Sequence, residues 1–86
     1  ARIVELEQRE RSLINERAAI SQDQGRIREN MGKVERNSEL YARWIQKLTE
    51  QETRLEAIHD EQQALAANLE AARKDLADYL AYLTVE

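Results

Sequence analysis

The sequence predicts an all-α fold, a two-helix antiparallel coiled-coil hairpin. Three observations predict it: a helix-forming composition without proline, apolar residues recurring every seven positions, and one short break in that recurrence near the middle. Charged residues make up 35 % of the 86 and aromatics only 5 %; cysteine and phenylalanine are absent and glycine occurs twice. Ala, Glu, Leu, Arg and Gln supply the bulk, and all of them suit helices. Such a chain reads as long solvated helices joined along a narrow apolar seam.

In the first half Leu6, Leu13, Ile20, Ile27 and Val34 recur every seven residues and define the d positions. The a positions are Ile3, Glu10, Arg17, Gln24 and Met31, three of them polar, so this half is a weak seam by itself. In the second half the a positions are Tyr41, Leu48, Leu55, Gln62, Leu69, Leu76 and Leu83. Its d positions are Trp44, Gln51, Ile58, Leu65, Ala72 and Tyr79. The phase is unbroken over these heptads, which is the signature of a coiled coil.

Between the halves lies Gly32-Lys33-Val34-Glu35-Arg36-Asn37-Ser38-Glu39. Gly32 can close a helix in the left-handed conformation. Asn37 or Ser38 can cap the next helix through a side-chain oxygen, and Glu39 suits its first turn. The expected elements are a first helix over about 2–33, a turn over about 34–38 and a second helix over about 39–84, forming one helical domain across 1–86. The helical pattern is already running at Ala1, so the expectation is a segment of a longer chain. Gly25 interrupts the first helix and is read as a tolerated weakness on its flank.

Folding the chain back at Asn37-Ser38 sets opposite each other residues whose numbers add up to 75. Val34 then faces Tyr41, Ile27 faces Leu48, Ile20 faces Leu55, Leu6 faces Leu69 and Met31 faces Trp44. Each pair sets a d residue against an a residue, or the reverse, as antiparallel coils require. Gln24 faces Gln51, a polar layer that can fix register. The full seam is Leu6, Leu13, Ile20, Gln24, Ile27, Met31, Val34, Tyr41, Trp44, Leu48, Gln51, Leu55, Ile58, Leu65 and Leu69. Beside it the same fold-back brings Asp23 near Arg54, Arg2 near Asp75, and Glu16 unfavourably near Glu61.

Leu76, Tyr79, Leu80 and Leu83 find no facing residue in this fold-back, and Ile14, Ile45 and Leu80 form a second apolar line at flanking e positions. One seam returns little against the backbone entropy of ordering two helices. Ile14, Ile45, Leu76, Tyr79, Leu80 and Leu83 are therefore the candidate contacts of a homo-oligomer, most simply two hairpins in a dimeric four-helix arrangement. The alternative topology, one continuous helix in a parallel dimer, is opposed by Gly32 and by the break at Asn37-Ser38.

The charge pattern and the side-chain inventory bound the chemistry. The net charge is −4. Residues 1–37 carry eight Lys/Arg against seven Asp/Glu, and residues 38–86 carry five against ten. An acidic chain with interspersed arginines makes a poor nucleic-acid binder. No apolar run is long enough for membrane insertion. His59 stands as the one histidine, read as a half-exposed flank residue near Ile14. Glu50, Glu52 and Glu56, with Asp60 and Glu61, read as a solvated face, because paired carboxylates need a cleft to shift their pKa values. Ser12, Ser21 and Ser38 have no base in range. The expectation is a non-enzyme, with no catalytic, metal or cofactor residues and no cofactor.

Three stretches carry a family resemblance: Arg26-Ile27-Arg28-Glu29-Asn30-Met31, Asn37-Ser38-Glu39-Leu40-Tyr41, and Lys47-Leu48-Thr49-Glu50-Gln51-Glu52-Thr53-Arg54-Leu55-Glu56. With the ending Tyr79-Leu80-Ala81-Tyr82-Leu83-Thr84-Val85-Glu86, they resemble the C-terminal helical region of a bacterial family of unknown function, large β-rich proteins described as mucoidy-inhibitor-A-like. The resemblance covers most of residues 20–86. It implies a hairpin projecting from a β-rich domain in an envelope or exported bacterial protein, and it carries over no catalytic residue. The expected function is a non-catalytic structural or interaction module, a spacer or oligomerisation element whose partner is another copy or the rest of its parent protein. The alternative is the accessory helical part of an enzyme or ligand-binding protein whose site lies outside this segment.

Overall fold

The computed structural model describes residues 2–84, which form an all-helical, extended hairpin. Helix α1 spans Arg2–Met31 and helix α2 spans Glu39–Thr84. At ~1.5 Å rise per residue α2 is roughly 69 Å long. It thus accounts for nearly all of the 74 × 15 × 15 Å extent of the molecule. The shorter α1 lies against α2 for part of that length, and the end of α2 runs on alone.

The two helices bury one stripe each. Leu13, Ile27, Ile58, Leu65 and Leu69 are buried, with Leu6 and Ile20 packed at the margin of the Leu13–Ile58–Leu65 cluster. Every one of these is an a or d residue. Towards the turn the seam loosens: Met31, Val34, Tyr41, Trp44, Leu48 and Leu55 are half-buried. Each fully buried large aliphatic side chain contributes ~1.5–3 kcal/mol relative to exposure.

The turn departs from the expected one at its start. α1 ends at Met31, two residues short of the expected boundary. Its last residues tighten instead of reversing: the Lys33 N–H donates to the Asn30 carbonyl at 3.0 Å and the Val34 N–H to the Met31 carbonyl at 3.4 Å. These i→i+3 bonds satisfy terminal carbonyls. No residue among those described has a positive φ, so Gly32 does not close the helix in the left-handed conformation expected of it. A second turn follows, in which the Ser38 N–H donates to the Glu35 carbonyl at 3.1 Å.

Ser38, and not Asn37, caps α2. Its hydroxyl accepts the Tyr41 N–H at 3.1 Å and donates to the Glu35 carbonyl at 2.7 Å. One side chain thereby satisfies an orphan donor of the new helix and ties it to the preceding turn. Gly25 sits in the middle of α1 with open space where a Cβ would project.

Candidate interaction surface

The surface is set by four parts of the hairpin: the seam, a polar layer within it, the charged flanks, and the free end of α2. All fifteen seam residues named from the sequence are buried or half-buried, so the fold brings them together. The six candidate oligomer contacts, Ile14, Ile45, Leu76, Tyr79, Leu80 and Leu83, are all exposed.

The polar layer differs from the expected amide pair. Gln24 is buried, but its amide nitrogen donates to Glu52 at 2.9 Å. Gln51 donates to Asp23 at 2.7 Å. Each amide reaches a carboxylate on the opposite helix in place of the facing amide, because a carboxylate accepts a stronger hydrogen bond than a neutral amide does. The consequence is an orphan: the Gln51 Oε1 is buried and has no partner among the described residues. An unpaired buried acceptor costs about 1–3 kcal/mol. This layer is the least satisfied part of the seam.

The charged flanks also correct the sequence expectation. Glu16 does not meet Glu61 as its partner, and Asp23 does not meet Arg54. Instead Arg54 donates from Nε and Nη2 to Glu16 at 2.6 and 2.8 Å, and Arg9 binds Glu61 in the same forked way, with its Nη2 at 2.8 Å. Lys47 lies 3.4 Å from Asp23. All six residues occupy g positions, flanking the seam. In an antiparallel coil a g residue meets the g residue of the other helix, offset by part of a turn from the seam layers. Pairs on this flank have numbers that add up to 70. On the opposite, e flank Glu7 meets Arg73 at 3.2 Å, a pair adding up to 80. The two flanks therefore bracket a seam register of 75.

Three consecutive g-to-g pairs of opposite charge form a rail along one edge. Its order disfavours slippage. A one-heptad slip would set Arg9 against Arg54 in one direction and Glu16 against Glu61 in the other. Hydrogen bonds from Arg54 and Arg9 hold Glu16 and Glu61 below their ordinary carboxylate range. Asp23 is lowered too, first by its bond from Arg26 and then by that from Gln51. The guanidinium groups of Arg9 and Arg54 are shifted upward by the same bonds. Arg9 is exposed and the other four are only half-buried, so water screens each pair and it holds register without driving folding.

The residues that tempted a catalytic reading have structural occupations. Ser38 is a cap, Glu61 and Glu52 are tied to Arg9 and Gln24, and His59 is exposed beside Gln63 at 3.2 Å. His59 lines a shallow groove with Arg17 and Ser21 and not with Ile14, the neighbour the fold-back expected, because e-flank pairs add up to 80. Among the described residues no three His, Cys, Asp or Glu side chains converge as a metal site. No described helix is long and apolar enough to cross a membrane.

Sequence reasoning missed two exposed apolar side chains, Val4 and Leu40, whereas Tyr82, which the heptad phase sets off the a/d line beside Leu80, is exposed as its g position predicts. No family model matches the chain, and comparisons with curated proteins and with solved structures gave no significant match.

Proposed function

We propose that this chain is a non-catalytic structural and interaction module, a rigid helical hairpin that spaces and joins parts of a larger assembly. The observation that carries the reading is a single narrow seam along a 74 Å rod, with surplus apolar surface gathered at one end. Two helices sharing one stripe wrap no deep cleft in which a catalytic pair could be desolvated. They do supply length, stiffness and a defined direction. The partner in this reading is a second copy, and the finer form of it is a dimer of hairpins in a four-helix arrangement. A bacterial envelope or exported protein of the mucoidy-inhibitor-A-like kind is the setting that the sequence resemblance suggests.

Sedimentation equilibrium and small-angle scattering test the proposal together. The spacer role requires a persistent rod, with a Cα radius of gyration near 20.4 Å for one hairpin in dilute solution. The joining role requires a mass that rises from 10.0 kDa towards twice that value with concentration. A compact or unfolded chain contradicts the first part, and a single-chain mass at every concentration contradicts the second.

A further inference from the structure

We propose that the turn end of the hairpin docks a partner, and that this partner is an acidic amphipathic helix of another protein. The inference goes beyond self-association and is independent of it. Two separate properties, apolar exposure and an excess of cations, coincide at this end.

The apolar part comes from a seam that stays open although both helices are present. Met31 faces Trp44 and Val34 faces Tyr41, yet all four are half-buried, whereas Leu13, Ile27, Ile58 and Leu69 are buried. The flanks widen the same surface: Leu40, at a g position, is 43 % exposed and Ile45, at an e position, 44 %. From Glu52 to Asp75 the flanking positions of α2 hold one apolar residue, Ala66. The turn joins the two helices at this end, so the exposure here owes nothing to the termini.

The charge follows the same boundary. Residues 28–47 carry five Lys/Arg against three Asp/Glu, and the rest of the chain eight against fourteen, which together give the net −4. The molecule is an acidic rod with a basic tip. Arg28, Lys33, Arg36 and Arg43 are exposed and form no ion pair among the described residues, while Arg9, Arg54 and Arg73 in the body are each held by a carboxylate of the other helix. Glu29, Glu35 and Glu39 are interspersed at the tip and leave the cations in excess.

Apolar and cationic side chains share two grooves there. On the e edge Met31, Val34 and Tyr41 line one groove with Arg28 and Arg36. On the g edge Leu40 and Trp44 line the other with Arg43 and Lys47. Each groove combines an aromatic ring with two cations. A helix that presents an apolar stripe bordered by carboxylates matches both requirements at once. The tip of a second copy would bring like charges together, and the acidic body of a second copy presents no row of exposed large apolar side chains among the described residues. An anionic lipid surface rewards an uninterrupted basic cluster, which the interspersed carboxylates deny.

Trp44 is the one tryptophan and lies in the g-edge groove, so its emission reports docking without a label. The probe is a peptide of about two heptads with leucine at its a and d positions and glutamate elsewhere. It should produce a saturable blue shift that weakens with added salt. The double change Arg36→Glu with Arg43→Glu should weaken binding by about tenfold or more, with helicity and melting of the free hairpin unchanged. Arg11→Glu, at an exposed arginine of the body, and Leu80→Asp, at the far end, should leave binding unaltered. Absence of a shift overturns the proposal, as does an equal shift with a counterpart peptide in which lysine replaces glutamate. An equal loss from Arg11→Glu or Leu80→Asp also overturns it, because the contact then lies elsewhere or reflects net charge alone. A shift with phosphatidylglycerol vesicles and none with the peptide means a lipid surface and overturns it. A mass that doubles with concentration and is held at one chain by the Arg36→Glu and Arg43→Glu change means that the tip takes a second copy; this overturns the proposal and leaves the joining role intact.

Discussion

The hairpin body and the free end of α2 carry the same heptad letters with opposite outcomes. Leu69 and Leu83 are both a residues of one unbroken helix, yet Leu69 is 2 % exposed and Leu83 is 52 % exposed. Burial is thus decided by the presence of a facing helix, and not by the repeat. What distinguishes the regions in the sequence is the flank. Around the body the e and g positions are mostly charged or polar, suited to a two-stranded seam edged by water. Around the end they become Leu80 and Tyr82, suited to wider coverage.

Truncation tests the comparison with the largest expected effect. Leu69→Ala should cost about 2–5 kcal/mol, as for a buried leucine that leaves a cavity. Leu83→Ala in dilute solution should cost under about 0.5 kcal/mol, as for a surface change. Denaturant melts of the two variants decide it; similar losses would mean that the end is packed in the isolated hairpin.

The polar layer sharpens the account of the body. Gln51→Leu removes the orphaned buried acceptor and leaves Asp23 its bonds to Arg26 and Lys47. Stability should rise by ~1 kcal/mol or more, read as a higher melting temperature. A fall would show that the amide's bond to Asp23 outweighs its unpaired oxygen. Gly25→Ala should add about 0.5–1 kcal/mol, because the methyl meets open space and the unfolded chain loses freedom. Destabilisation there would reveal a close approach on that face of α1.

Charge changes along the rail come next. Arg54→Glu places like charges at Glu16 and should lower the melting temperature slightly, with Glu16→Arg restoring the loss in the double variant. Acid should act in the same direction. Glu16, Glu61 and Asp23 are lowered in the folded state relative to ordinary values of 4.5 and 3.8. The folded chain then binds fewer protons than the unfolded one across that range. The contribution is present above the ordinary values and is lost as pH falls through the lower folded ones. Melting temperature against pH should show a shallow decline there, reduced by salt.

Much of the fold was legible in the sequence because heptad phase and a break are global features. The phase of Leu13, Ile27, Ile58, Leu65 and Leu69 marks the face that is buried, and Ser38 stands where a capping residue is needed. The polar partners were less legible. Gln24, Gln51, Glu16 and Arg54 have long side chains that reach residues a turn away, so a facing position does not name a bonding partner. The seam register transfers to the flanks only after the g-to-g and e-to-e offset is applied, so a plain fold-back sets Glu16 beside Glu61 where the structure pairs it with Arg54. The conformation of Gly32 was not legible either, since a glycine permits the left-handed form without requiring it.

The account turns on the chain folding back upon itself. Cysteines in place of the exposed Glu5 and Glu70, labelled and diluted into excess unlabelled chain, report that within one molecule. Packed helices predict a separation of roughly 10–20 Å between the labels. A continuous helix would place them roughly 95–100 Å apart and would contradict the hairpin.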